Sequence, residues 1–532
     1  MDTPDPTDTQ VLVVGAGPTG LLAACELLRR GIPTRIIDRA QAPMTVPKAL
    51  SLWPRVLDIL EDLGVADEVR EASVPIRAFS YFSERRPLAS FTFADDLAAR
   101  QLPQPETERI LTERLRSLGG KIERGVRLLA LDDVDFSGRI DATDGVTAIL
   151  EHGAGQGPVE RVRTAFVIGA DGASSSVRGQ LGIGFQGTTY EMAFALVDAR
   201  IDGHLPEDEI LYYQAAGGTL VVVPQPEGVH RFLSVMPDGG REVSVPMMQA
   251  ILDERGPRGV RITEPVWQTV FRVHARRAVD FQRGRVFLMG DAAHVHSPAG
   301  GQGMNNGLQD AHNLAWKLAA VIRGESPSSL LGTYGPERSE STRRIVRDTD
   351  IQTRAWMFNG PLQVRARDAA FRFLDRTNTV SRFYTPVMAG RRLAYEPERE
   401  TQRPGGLTAC RLRERLPGGA KVGGTFPRRA ALSAGLAGPG ADPGGWVLAV
   451  REPGRGKAAE WRTEIGHIAA RWPQLRVRRI PRGVAASDAF CGRPGYHLIR
   501  PDGHIAAHGH QDDLDRLEAE LATVLLPRAS GI

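Results

Sequence analysis

Little cysteine, no long apolar run and almost no net charge set the first bounds on this chain of 532 residues. Cysteine occurs only as Cys25, Cys410 and Cys491, far apart and without a CxxC pair, which excludes a disulfide framework, dithiol chemistry and a cysteine-held zinc site. The same scarcity fits a reducing cytoplasm, the expected location. No apolar stretch approaches the roughly 20 residues that a membrane-spanning helix needs. The start, Met1-Asp2-Thr3-Pro4-Asp5-Pro6, lacks the basic and apolar regions of a signal peptide, and residues 1–8 are expected to fray. Lys and Arg total 67 against 63 Asp and Glu, a formal charge of +4 with no basic tract, so nucleic acid is not an expected partner. What is present is ordinary folded-protein material: 42% hydrophobic and 24% charged residues, in a length that predicts two or three domains.

Val11-Leu12-Val13-Val14 is a short β-branched run that stops at Gly15-Ala16-Gly17-Pro18-Thr19-Gly20, after which Leu21, Leu22, Cys25 and Leu28 recur at helical spacing. That helix ends near Gly31, and residues 33–38 supply a second strand closed by Asp38, so one βαβ unit fits the segment. Gly15 permits the tight turn, Gly17 lets a pyrophosphate approach the main chain, and Gly20 packs helix against strand, with Pro18 and Thr19 opening the helix. The diphosphate then meets a helix N-terminus. Asp38, with Arg39 beside it, stands about 20 residues past the turn, where a carboxylate takes the adenosine ribose hydroxyls.

Two later segments repeat the design. Residues 164–172 form an apolar strand ending in Asp171-Gly172, and residues 284–294 form a buried strand delivering Asp291. A glycine loop follows, Ser297-Pro298-Ala299-Gly300-Gly301-Gln302-Gly303-Met304-Asn305, and opens a long helix whose Leu308, Ala311, Leu314, Leu318 and Val321 fall on one face.

Together, in this order, the three segments resemble the class A flavoprotein monooxygenases, and the run from Gly303 to Leu318 is similar to that of the aromatic hydroxylases acting on phenylpropionates, phenols and aromatic polyketides. The resemblance implies an α/β protein: a Rossmann-like FAD-binding domain with a helical extension over residues 1–180 and 275–400, an inserted antiparallel-sheet substrate domain over 181–274, and a C-terminal thioredoxin-like α/β domain over 401–532. It implies FAD as cofactor, NADPH or NADH as transient reductant, and hydroxylation of a phenolic, quinone or polycyclic substrate by dioxygen through a flavin C4a-hydroperoxide. It places Asp291 near the ribityl and pyrophosphate, Gln104 on the ribityl chain with Arg109 close by, and Lys48 where many relatives have arginine. Pro298 and Gly300 to Asn305 would lie against the isoalloxazine ring. Pro298, Gly303 and Met304 are the catalytic candidates, because amides at a helix N-terminus hold the negative charge of reduced flavin without reorganising. Substrate binding would gate flavin reduction. Rival reactions on the same fold are Baeyer-Villiger or epoxide-forming oxygenation and antibiotic inactivation, and a non-catalytic redox sensor is the remote alternative.

Between residues 184 and 274 short alternating runs separated by turns predict an antiparallel sheet covering the flavin. Tyr212, Gln214, Phe232, Met236 and Trp267 are the candidate substrate contacts, and His274 a candidate base for a phenol. His294 and His296 alternate on a strand-like stretch, but no carboxylate or cysteine set completes a metal site, so no metal is expected. Residues 343–382 read as charged helix, and residues 402–446, rich in glycine and proline, as a linker and loop-rich entry to the last domain. His504, His508 and His510 read as surface residues, and the chain as a monomer or homodimer.

Overall fold

A computed structural model of the chain describes residues 9–153, 157–215, 217–236, 242–355, 361–395, 420–452, 458–480, 494–510 and 513–527. The expected frayed start, residues 402–419 of the linker, Cys410 and Cys491 lie outside the described residues.

The Val11–Val14 run forms the middle of a six-stranded sheet because its side chains are apolar on both faces and all four are buried. The strand order is Gln282–Arg283, Val286–Leu288, Phe166–Gly169, Val11–Val14, Thr34–Asp38, Ile122–Arg124, parallel except for the edge hairpin made by the first two. Helices Pro18–Leu28 and Gly303–Ile322 pack together over this sheet in one core. The three glycine-containing segments therefore leave neighbouring strands at the carboxyl edge of one sheet, where open parallel sheets hold ligands.

The second sheet has eight strands and is wider than the 181–274 segment expected to build it. Its order is His294–Val295, Arg261–Ala278, Phe185–Asp202, His230–Val235, Gly218–Pro224, Glu209–Ala215, Ala78–Ser83, Arg86–Thr92. The last two strands come from far upstream, and Ala78–Ser83 joins in parallel to Glu209–Ala215, a long-range pairing that no turn signal announces. At the other edge His294–Val295 pairs with Arg276 and Arg277, which stitches the segment after Asp291 to the sheet. One face packs against helix Val245–Arg255, and the other against Trp53, Met388 and Ala389.

The C-terminal sheet has the order Leu475–Arg479, Trp446–Arg451, Gly495–Ile499, Ile505–His510, with the first two strands parallel and the rest antiparallel. Its tryptophan-rich core reaches toward the first sheet's layer of helices, where Trp316 of the Gly303–Ile322 helix meets Trp446 edge-on at 5.7 Å. His504 and His508 are buried, not on the surface as expected: His504 because the last hairpin docks against Tyr395, His508 because it packs beside His497 within its own sheet; His510 keeps partial exposure. In that hairpin Arg500 binds Glu337 in two-pronged fashion at 2.6 and 2.9 Å, and Lys317 Nζ reaches the same carboxylate at 2.8 Å.

Burial alone would raise the Glu337 pKa, but Arg500 and Lys317 outweigh it and hold the group at about 2. A carboxylate lowered from its ordinary 4.5 contributes its full stabilisation above pH 4.5 and loses it as pH falls toward 2. Calorimetry across that interval is expected to show a larger fall in thermal midpoint for the wild-type chain than for Glu337→Gln; equal falls would contradict this pairing.

Candidate active site

A cavity of about 960 Å³ lies between the carboxyl edge of the first sheet and the inner face of the second. Its dinucleotide side is mostly bare backbone. Gly15 takes a left-handed φ of +106°, and a side chain there would run into the carbonyl of Ala170 at 2.3 Å. A methyl group at Gly17 would meet no protein atom within 4 Å, so the space beside that backbone is open for a ligand. Gly17 also caps helix Pro18–Leu28 with no side-chain bond to its first turn, leaving those N–H groups to an anion. Asp38 braces the turn, its two oxygens accepting from Ala16 N at 2.7 Å and Ala40 N at 2.8 Å.

Asp171 accepts from Ser176 N at 2.7 Å and Ser176 Oγ at 2.9 Å through Oδ2, while its buried Oδ1 has no partner among the described residues. Asp291 opens to the cavity, yet the surrounding walls push its pKa up against the pull of His294 and Lys48. The loop before helix Gly303–Ile322 is held by three neighbours. Trp53 Nε1 donates to Gly300 O at 2.8 Å, and Asn305 Nδ2 donates to Ser51 O at 2.7 Å and Gly301 O at 2.8 Å.

The structure brings Gly15, Gly17, Pro18, Thr19, Asp38, Arg39, Lys48, Gln104, Asp171, Asp291, Pro298, Gly300, Gly301, Gly303 and Met304 to this one cavity. Three others sit just behind it. Gly20 packs so closely that a Cβ would stand 1.9 Å from Gly15 O; Gln302 Nε2 donates to Met388 O at 3.1 Å; Asn305 braces the loop. Arg109 is a correction. It is one helical turn and more past Gln104 on helix Gln104–Ser117, so it swings to the surface and pairs with Glu106 and Glu113; Glu108, four residues on, shares the cavity with Gln104 instead.

On the sheet side the wall is apolar: Phe79, Leu196, Tyr212, Val221, Leu233 and Trp267. Tyr212 and Trp267 thus line it as expected, and Tyr81 stacks on Tyr212 behind the wall at 4.6 Å. Phe232 and Met236 do not, because strand alternation sends both to the opposite face, against helix Val245–Arg255. Gln214 shares the Tyr212 parity but lies nearer the strand end, buried and outside the cavity lining. His274 stands at the rim with Nδ1 2.9 Å from Thr189 Oγ1.

Arg231 escaped the sequence reading. It projects from strand His230–Val235 into the wall, forms a two-pronged bond to the buried Asp198 at 2.8 Å through both Nε and Nη2, and donates to the carbonyls of Pro47 and Lys48. An arginine inside a mostly buried strand, with an aspartate on the paired strand, was the available signal. Trp53 and Gln101 also line the cavity from segments that no pattern singled out, and His296, weighed in the sequence only as half of a metal pair, lines it too.

Residues 8–349 match the FAD binding domain family. Across 98% of this chain and 95% of the relative, the sequence is 34% identical to a 6-methylpretetramide 4-monooxygenase of Streptomyces rimosus. Among solved structures, aklavinone-11 hydroxylase with FAD and aklavinone superposes with a TM-score of 0.72 at 26% identity over 98% of this chain and 99% of that one. The OxyS anhydrotetracycline hydroxylase of Streptomyces rimosus gives 0.73 at 26% identity over the same shares. The chain belongs to the FAD binding domain family and is a flavin-dependent monooxygenase that uses FAD and NAD(P)H. Its own geometry suits FAD: an open glycine cradle at Gly17, an uncapped helix N-terminus and an unpartnered buried oxygen on Asp171.

Gly17→Ala is expected to leave apoprotein unfolding unchanged and to weaken FAD binding by about tenfold or more, since its methyl group fills only ligand space. Gly20→Ala, whose methyl group meets Gly15 O, is expected to lower stability and flavin retention together. Thermal unfolding of apoprotein and flavin titration separate the two.

Proposed function

We propose that this enzyme hydroxylates an electron-rich polycyclic aromatic compound of the aromatic polyketide type, such as a tricyclic or tetracyclic hydroxyquinone. The carrying observation is the continuity of the cavity: the glycine cradle and the apolar sheet wall enclose one space, so a flat apolar substrate can lie directly beside the cofactor. The names of the full-length relatives and of the aklavinone complex support the polycyclic choice. Bound FAD supplies dioxygen activation at the expense of NAD(P)H.

The chain's own residues have four tasks. Gly15, Gly17, Asp38, Arg39, Gln104, Asp171 and Asp291 would hold the cofactor, and the N-terminus at Gly303 and Met304 presents partial positive charge to the flavin ring. Leu196, Val221, Leu233 and Trp267 exclude water and match an aromatic face. Polar recognition falls to Gln101 and His296, whose Nε2 atoms have no hydrogen-bond partner among the described residues. His296 Nδ1 lies 3.1 Å from the carbonyl of Ser297 and must carry the proton, which leaves Nε2 an acceptor for a substrate hydroxyl. Burial, then the neighbouring His294, lowers its pKa to about 4, so it stays neutral at physiological pH. Finally, Arg231 joins the sheet to the Pro47–Lys48 segment, so a ring seated against Leu233 and Trp267 bears on residues tied to the cofactor side.

In this reading the enzyme works in the cytoplasm, as a monomer or homodimer, and the order of the C-terminal strands supports a thioredoxin-like unit without dithiol chemistry. Among the described residues no helix is long and apolar enough to cross a membrane.

Turnover with NADPH, isotopically labelled dioxygen and a panel of phenols and polycyclic hydroxyquinones tests the proposal. The expected product carries one labelled oxygen on a ring carbon; lactone or epoxide products would overturn it in favour of other oxygenations. Leu233→Trp, which fills the wall, is expected to raise KM at least tenfold for a tetracyclic substrate and far less for a single-ring phenol.

A further inference from the structure

The turn from Arg500 to His504 in the last hairpin is inserted among buried charges of the flavin half. Arg500 binds Asp502 of its own turn at 3.1 and 2.6 Å as well as Glu337, and Arg55 Nη2 donates to Asp502 O at 2.5 Å. The ring of His504 stacks on Tyr395 with centroids 4.4 Å apart, and the Arg500 guanidinium lies 5.3 Å from the same ring. His504 Nδ1 donates to Gly423 O at 2.8 Å, which fixes the imidazole in that stack.

Glu337 and Arg338 are consecutive on helix Tyr334–Ala355 and serve opposite sides. Glu337 receives the hairpin. Arg338 Nη1 donates to Tyr395 Oη at 3.1 Å, its Nη2 to Asn306 Oδ1 at 2.6 Å, and its Nε to Asp310 Oδ1 at 2.6 Å. The other oxygen of Asp310 lies 2.6 Å from His294 Nε2 and accepts from Gly290 N at 3.0 Å. Gly290 and His294 bracket Asp291, which lines the cavity. Both Arg338 and Asp310 are fully buried, so neither can exchange a partner for water.

We propose that the Arg500–His504 hairpin is a positioning element for the cofactor loop: held by Glu337 and Tyr395, it fixes Arg338, which through Asp310 fixes the Gly290–His294 segment, so the C-terminal sheet sets FAD affinity without touching FAD. This assigns the C-terminal sheet a task beyond packing. It is independent of the substrate reading, because FAD affinity is measured without substrate.

The test uses full-length protein and three variants: Tyr395→Phe, which removes only the hydroxyl facing Arg338; the double variant Glu337→Gln/Arg500→Gln, which removes both charges of the docking pair; and Arg471→Gln, which breaks an exposed pair with Glu518 on the same C-terminal unit. FAD titration of apoprotein, visible circular dichroism of the bound flavin and urea unfolding of apoprotein are read for each. The first two variants are expected to weaken FAD about tenfold and to alter the flavin dichroism, with Tyr395→Phe losing far less apoprotein stability than the double variant and Arg471→Gln unchanged throughout. Wild-type FAD affinity and dichroism in Tyr395→Phe would overturn the proposal, as would FAD loss in the double variant that only parallels its loss of apoprotein stability. Should the double variant fail to fold, Tyr395→Phe alone decides.

Discussion

Close backbone contact around one helix N-terminus is the constraint on which the molecule is built. Helix Pro18–Leu28 starts where three chain segments meet, and at each meeting a side chain would collide. A Cβ at Gly15 would strike Ala170 O at 2.3 Å, one at Gly20 would strike Gly15 O at 1.9 Å, and at Gly290 and Gly307 it would strike Thr19 Oγ1 at 2.8 and 2.4 Å. The turn, the Asp171 strand, the Asp291 segment and helix Gly303–Ile322 can therefore close to atomic contact, and the uncapped first turn of helix Pro18–Leu28 faces the shared space. An anionic cofactor fits there because the backbone, not a set of long side chains, forms the cradle.

That origin explains why the cofactor half was legible in the sequence. Glycines at fixed offsets after an apolar strand are local signals, and Asp38, Asp171 and Asp291 each follow such a strand directly. The substrate half was less legible, since its wall is assembled from pairings distant in the chain. Phe79 enters through a parallel partnership with Glu209–Ala215, Trp53 through the loop it holds at Gly300, and Arg231 through a buried ion pair across two strands. Alternation identified the strands yet left open which parity faces inward, so Tyr212 lay on the wall while Phe232 and Met236 lay behind it. Arg109 failed on phase: proximity in sequence to Gln104 is not proximity around a helix.

The second sheet is more than a cover. His294–Val295 pairs into its edge directly after Asp291, and Arg231 ties its centre to Pro47 and Lys48. The wall proposed to hold the substrate is thus fastened at two points to segments proposed to hold the cofactor. Buried charges carry the second fastening, and a buried pair that loses one partner is costly, which makes the joint stiff. The proposed substrate and cofactor sites accordingly act as one mechanical unit in this flavin-dependent monooxygenase.

The most direct test of that unity is the rate of anaerobic flavin reduction by NADPH, measured with and without a bound polycyclic hydroxyquinone. Acceleration of about tenfold or more by the bound ring is the predicted result, since a substrate against the sheet acts on residues joined to the cofactor side. Equal rates with and without a ring shown by binding to occupy the cavity would contradict it.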